Sequence, residues 1–238
     1  MRSPVSGRHD PVDAAWVDVL GVRIQAPVTA GTNVALALQC AYFRWRLRRG
    51  VEPAIRLWAL FFLAMAVATL AGAPKHALRH VLSPIELTSV LWISSLGSGL
   101  AVWAAQRATI ASRAGLRRVG LERASSLQLV AYLMANAAWG PHMSVLIANT
   151  VVGLLPVIHA EAGAARGGEP SGGWIAAGFG LSMITGLVYV AELSLGHWLN
   201  HIDVAHLLMA LSYYLIARGA AAPTSFPVLA TRHGDVYL

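Results

Sequence analysis

Charge is what this sequence has least of. Asp, Glu, Lys and Arg make up 12% of its 238 residues, while 56% are apolar; an average soluble domain carries about 25% charged residues. A soluble fold of this composition lacks the polar surface to cover itself, which excludes the ordinary soluble enzyme. The same apolar excess excludes disorder. Cysteine is nearly absent: the single Cys40 cannot close an internal disulfide, so a disulfide scaffold is excluded too. Alternating apolar segments are also lacking. The apolar runs are continuous, whereas membrane-barrel strands alternate over ~10 residues. With a mean hydropathy of +0.58, what remains is a helical integral membrane protein.

Seven runs reach or approach the ~20 residues that a bilayer core demands. They extend over about Pro27 to Arg46, Ile55 to Ala73, Pro84 to Gln106, Ser126 to Trp139, His142 to Ile158 and Gly173 to Leu193, with a last run from between Gly196 and Asp203 to Arg218. The fourth and fifth are short, and Gly140-Pro141 between them is a turn signal. The stretch Glu161 to Gly173, EAGAARGGEPSGG, reads as a small, flexible loop. The glycines of Gly97-Ser98-Gly99 and Gly178-Phe179-Gly180 suit close helix packing. Residues 1–25 mix Arg2, Arg8, Asp10, Asp13, Asp18 and Arg23 and do not read as a signal peptide. Within them Val12 to Ile24 fits at most a short surface helix. After Ala220, Pro223 and Pro227 suggest an extended tail. The expected organisation is a polar N-terminal segment (1–25), a seven-helix transmembrane domain (26–220) and a C-terminal tail (221–238).

The net charge of +7 would suit nucleic acid in a soluble protein. Here the arginines sit between apolar runs, and they are better read as setting membrane orientation, with no nucleic-acid partner. Arg44, Arg46, Arg48, Arg49 and Arg56 follow the first run, Arg107, Arg113, Arg117, Arg118 and Arg123 follow the third, and Arg218 ends the seventh. Seven spans put all three groups on one face, and the positive-inside rule makes that face cytoplasmic. The fold class expected is therefore all-α: a polytopic membrane protein of seven transmembrane helices, N-terminus outside and C-terminus inside.

With that orientation, polar residues gather on the outer face. His76 and His80 follow the second span, His142 lies between the fourth and fifth, and His197, His201 and His206 surround the start of the seventh. Glu86, Glu192, Asp203, Asn33, Asn136 and Asn149 belong to the same side. Single histidines at span ends can rest among lipid headgroups, but ionisable groups at membrane depth are costly and mark function. In the last span His197 and His201 are spaced i,i+4, and Asp203 and His206 i,i+3. Each pair suits gripping one metal ion from one helix face, and the two pairs point in different directions. One pair would ligate and the other would orient it. His76 and Glu86 would complete the site from neighbouring spans. Three protein ligands plus water is the catalytic zinc pattern, in which the bound water is a nucleophile at neutral pH.

The segment Gly72-Ala73-Pro74-Lys75-His76, with Glu86 ten residues on, resembles the second and third spans of the CREST superfamily. That group contains the alkaline ceramidases and the progestin/adiponectin-receptor proteins. The resemblance implies a seven-span, metal-dependent hydrolase of amide or ester bonds, with zinc as cofactor and membrane lipid or a lipid-like molecule as partner and substrate. By position His76 matches the family histidine, Glu86 falls near its aspartate, and His197 with His201 match its His-x-x-x-His. Two positions depart from the pattern: Gly72 stands where the family has serine, and Glu86 is not aspartate. The segment Asn200 to His206, with Tyr213, Tyr214 and Arg218-Gly219-Ala220 after it, looks more like a group of bacterial seven-span proteins, which implies a bacterial inner membrane. Their recurring residues correspond to Asn200, Asp203 and His206. The candidate metal ligands are thus His76, His197, His201, Asp203 and His206. The candidate catalytic groups are Glu86, Asp203 and Asn200, with Asn136 or Asn149 as oxyanion donors. The alternative is a non-catalytic sensor or proton-linked transporter using the same cluster, or a bundle whose outer polar residues pair only with each other.

Overall fold

In a computed structural model, residues 16–113, 118–196 and 199–222 are described. Among them seven helices follow a short hairpin: β1 (Trp16–Val19), β2 (Val22–Gln25), α1 (Pro27–Leu47), α2 (Pro53–Ala77), α3 (Pro84–Arg113), α4 (Arg118–Trp139), α5 (Met143–Arg166), α6 (Pro170–Val190) and α7 (His201–Ala221). Proline opens α1, α2, α3 and α6. At the first helical position its missing N–H costs nothing and its fixed φ is already helical. Five helices, α2, α3, α5, α6 and α7, are long and apolar enough to cross a membrane by length and composition. α1 and α4 do not meet that measure. They carry Thr29, Thr32, Asn33, Gln39, Arg44 and Arg46 in one and Arg118, Glu122, Arg123, Ser125, Ser126, Gln128 and Asn136 in the other.

Side-chain contacts give the relative directions of the helices. Along α1 and α7, Thr29 meets Asp203, Thr32 meets His206 and Gln39 meets the Ala210 carbonyl. Numbers rise together on both, so the two run parallel. α3 and α4 are antiparallel, since Ser95 bonds Asn136 and Gln106 bonds Gln128. α6 and α7 are antiparallel as well: a Cβ at Gly178 would lie 2.9 Å from the Ser212 carbonyl oxygen and one at Gly219 2.7 Å from that of Ser171. Those two glycines let the backbones touch. Gly97 does the same for α3 against the Ala64 carbonyl oxygen, 2.9 Å from its would-be Cβ, and Gly99 faces the Tyr132 ring. Gly180 faces open space and has no packing role of this kind. Where α1, α2, α6 and α7 meet, the core is aromatic. Phe43, Phe61, Phe62, Phe179 and Tyr213 stack mostly edge to face, with centroids 5.0–6.4 Å apart. Such pairs add about 0.5–1.5 kcal/mol each beyond their buried area.

Three expectations are corrected. Residues 16–25 form a hairpin where at most a short surface helix was read over Val12 to Ile24: Trp16 to Val19 pairs antiparallel with Val22 to Gln25, and residues 12–15 lie outside the described residues. Leu20 and Gly21 turn it at φ 51° and 81°, the paired positive angles of a tight hairpin turn. The alternation Val17-Asp18-Val19 is strand-like, with period two. The loop expected over Glu161 to Gly173 shrinks to residues 167–169, because α5 runs to Arg166 and α6 starts at Pro170. Glu161 is fully buried, accepting from Thr109 Oγ1 at 3.0 Å and pairing with Arg113 Nη2 at 3.1 Å; Arg113 also bonds Glu169. That ion pair and the helix-favouring alanines extend α5. The fourth and fifth helices, expected to be short, span 22 and 24 residues, because α4 takes in the polar turns from Arg118.

A candidate site at one end of α1, α2 and α7

The site is built from one turn of each of three helices. Asn200 caps α7: its Oδ1 accepts from Ile202 N at 2.8 Å and Asp203 N at 3.2 Å, and Asp203 Oδ2 returns a bond from Asn200 N at 3.2 Å. This reciprocal box satisfies amides the helix cannot pair itself. The other oxygen of Asp203 accepts from Thr29 Oγ1 at 2.7 Å, and Asn200 Nδ2 donates to Thr29 Oγ1 at 3.2 Å. Asp203 is wholly buried and Thr29 is 1% exposed. A buried carboxylate needs this full set of partners, since each missing one leaves its desolvation uncompensated. One turn along, Thr32 Oγ1 lies 2.8 Å from His206 Nδ1 and 3.0 Å from the Thr29 carbonyl oxygen.

α2 joins through α1. A Cβ placed at Gly72 would lie 2.8 Å from Asn33 Oδ1, so Asn33 fills the space a side chain at 72 would take. Asn33 is buried, and its Nδ2 donates to the Thr29 carbonyl at 3.0 Å. With a rise of about 1.5 Å per residue, one turn brings Thr29 level with His76. His76 lies within electrostatic reach of His206, Lys75 and Arg79. Pro74 stands inside the last turns of α2, where it removes a backbone donor just before Lys75 and His76. Beyond α2, the β-hairpin approaches through Trp16, whose ring meets the His80 ring edge-on at 5.1 Å.

The structure thus brings together Asn200, Asp203, His206 and His76. Glu86 is placed elsewhere: it is exposed, and its Oε2 accepts from Ser83 N at 2.8 Å and Ser83 Oγ at 2.7 Å at the start of α3. This is a helix-start role, fixed by a serine three residues before it. His201 opens α7 and packs its ring against Tyr189, centroids 5.5 Å apart. His197 lies outside the described residues. His142 caps α5 by accepting from Ser144 N at 3.3 Å. Asn136 and Asn149, expected as oxyanion donors, bond elsewhere: Asn136 Oδ1 accepts from Ser95 Oγ at 2.8 Å between α3 and α4, and Asn149 Oδ1 accepts from Gln128 Nε2 at 3.1 Å between α4 and α5. Among the described residues no three His, Cys, Asp or Glu side chains gather closely enough to hold one metal ion. Both Asp203 oxygens accept hydrogen bonds, one from α1 and one from the cap. Thr29, Thr32 and Asn33 were missed from the sequence. Their signal is a polar i, i+3, i+4 face in the first turns of an apolar helix.

The chain belongs to a family of unknown function (DUF6962), which matches residues 28–225 and so takes in all seven helices and the site. No curated protein and no solved structure matches it.

Proposed function

We propose that this protein is a membrane-embedded hydrolase of amide or ester bonds in a lipid-like substrate, working at the α1–α2–α7 cluster. The observation that supports it is how His206 is held. If Thr32 gives its one hydroxyl proton to the Thr29 carbonyl, it accepts from His206 Nδ1–H, and His206 Nε2 keeps its lone pair. An imidazole fixed on one nitrogen and basic on the other is the form a general base takes. It is also the form of a metal-bound histidine, whose second nitrogen donates to a partner. With zinc bound, His76 and His206 would be two of its ligands, one fewer than the usual three, the metal would supply a water activated at neutral pH, and the His206 Nε2 lone pair would serve the metal in place of the base role. Asp203 and Asn200 act by fixing the start of α7 against Thr29, which sets the position of His206 one turn on.

In this reading all seven helices cross the membrane of a bacterial cell, N-terminus outside and C-terminus inside. The parallel course of α1 and α7 supports an odd number of alternating crossings, and the arginines near the opposite ends support the orientation. The test is release of fatty acid from a mixed lipid extract by the full chain in detergent, read by mass spectrometry, with metal analysis of the same sample. His206→Ala and His76→Ala are expected to lower the rate by about 10²–10⁴, the usual contribution of a positioned acid or base. Wild-type release no faster than that of His206→Ala would overturn the hydrolase and favour a non-catalytic sensor or proton-linked transporter.

A further inference from the structure

The basic residues of this chain are distributed unevenly by type. Of its 18 Lys and Arg residues, 17 are arginine, and the one lysine is Lys75, beside His76 in the candidate site. Lys75 is half-buried in the last turn of α2. Its ammonium makes no hydrogen bond and no ion pair among the described residues, and its electrostatic neighbours, Arg79 and His76, are themselves basic. Three described carboxylates of this end are held by other partners. Asp203 is closed by Thr29 and its own helix cap, and Glu86 by Ser83. Asp18 on the hairpin faces Arg23 at 3.8 Å. Four of the six residues from Lys75 to His80 are Lys, His or Arg. A half-desolvated ammonium with no hydrogen bond or ion pair among the described residues is costly unless something negative completes it.

We propose that Lys75, with Arg79 beside it, binds an anionic oxygen group, a phosphate or a carboxylate, of the molecule that occupies the α1–α2–α7 site. The inference deepens the hydrolase reading by giving its substrate class: a lipid-like molecule with an acidic headgroup, whose charge docks on Lys75 while the neighbouring imidazoles face its core. An ammonium suits this task as a compact point charge that takes oxygens from several directions. It differs from a lysine reaching out to any headgroup in being one site with one occupant.

A single lysine makes the test direct. The full chain in neutral detergent is acetylated with a trace of amine-reactive reagent, and the modification rate at Lys75 is read by peptide mass spectrometry. The reaction is run alone, with inorganic phosphate, with phosphatidic acid and with phosphatidylcholine. Saturable slowing of at least tenfold by phosphate or phosphatidic acid, with none by phosphatidylcholine, is expected. Slowing by phosphate points to a free anion as ligand, and slowing by phosphatidic acid alone points to a lipid headgroup. Equal rates in all four samples, or equal slowing by the neutral lipid, would overturn the proposal. Retention of one phosphatidic acid in native mass spectra provides the second measurement: Lys75→Arg is expected to keep it and Lys75→Met to lose it, and retention by Lys75→Met would also overturn the proposal. Neither readout needs turnover, so protection without hydrolysis would sink only the hydrolase.

Discussion

Thr29 Oγ1 donates a 2.7 Å hydrogen bond to Asp203 Oδ1 across 174 residues of sequence. It ties the first turn of α1 to the first turn of α7 inside the protein, where water cannot substitute for either partner. Thr29→Val keeps the shape and removes the donor. It is expected to destabilise the protein by about 1–3 kcal/mol, the cost of an unmet buried acceptor. Asp203→Asn is expected to cost a similar amount, and the double variant less than the sum, because contacting partners are not additive. Thermal unfolding in detergent of the four proteins measures this; full additivity would mean the bond contributes nothing.

Thr32 reaches the chemistry only through His206. Thr32→Val frees the imidazole to rotate about χ2, so the ring is no longer presented in one orientation. If the site is hydrolytic, kcat is expected to fall about 10–100-fold, the usual effect of losing a histidine's outer partner, with KM little changed. Thr32→Ser restores the hydroxyl and is expected to restore the rate. A Thr32→Val enzyme with wild-type kcat and a raised KM would place Thr32 in substrate binding instead.

Five of the helices were legible in the sequence because each carries a long apolar run, and apolar length is a local property. Pro27 and Pro84 were legible as starts for the same reason. Glu161 was not: its burial depends on Arg113, 48 residues earlier, and nothing local separates a buried Glu in an alanine-rich stretch from an exposed one. The site was half legible. Asn200, Asp203, His206 and His76 stand out as polar residues near apolar runs, but hydroxyls such as Thr29 and Thr32 are common in membrane helices and say nothing until their partners are known. Spacing from His76 to Glu86 does not reveal that Ser83, which lies between them, holds the carboxylate.

At the opposite end, Arg113 and Glu161 form an ion pair with side chains 15% and 1% exposed. Removing one member leaves the other charge buried alone. Arg113→Met is therefore expected to destabilise by about 3–5 kcal/mol. Replacing both, Arg113→Met with Glu161→Met, removes the desolvation cost together with the attraction and is expected to recover most of the loss. Unfolding midpoints of wild type, single and double variants decide it. A double variant as unstable as Arg113→Met alone would show that Glu161 is held chiefly by Thr109 and packing.

The structure supplies a steric reason for glycine at position 72. The space beside residue 72 belongs to Asn33, whose Oδ1 would be 2.8 Å from a new Cβ. Because Asn33 also donates to the Thr29 carbonyl, it cannot swing aside without loosening the turn that carries Thr29 and Thr32. Gly72→Ser is thus expected to cost about 1–3 kcal/mol, as overpacking does, and to disturb the site from two helices at once. Asn33→Ala opens the space and gives up one side-chain hydrogen bond. The double variant Gly72→Ser with Asn33→Ala is expected to be more stable than Gly72→Ser alone, with the serine hydroxyl in the place of the Asn33 amide. If the site needs a polar group between α1 and α2, activity should follow the same order: low in each single variant and partly recovered in the double. A Gly72→Ser protein as stable as wild type would mean that Asn33 yields freely and that glycine here is not dictated by packing.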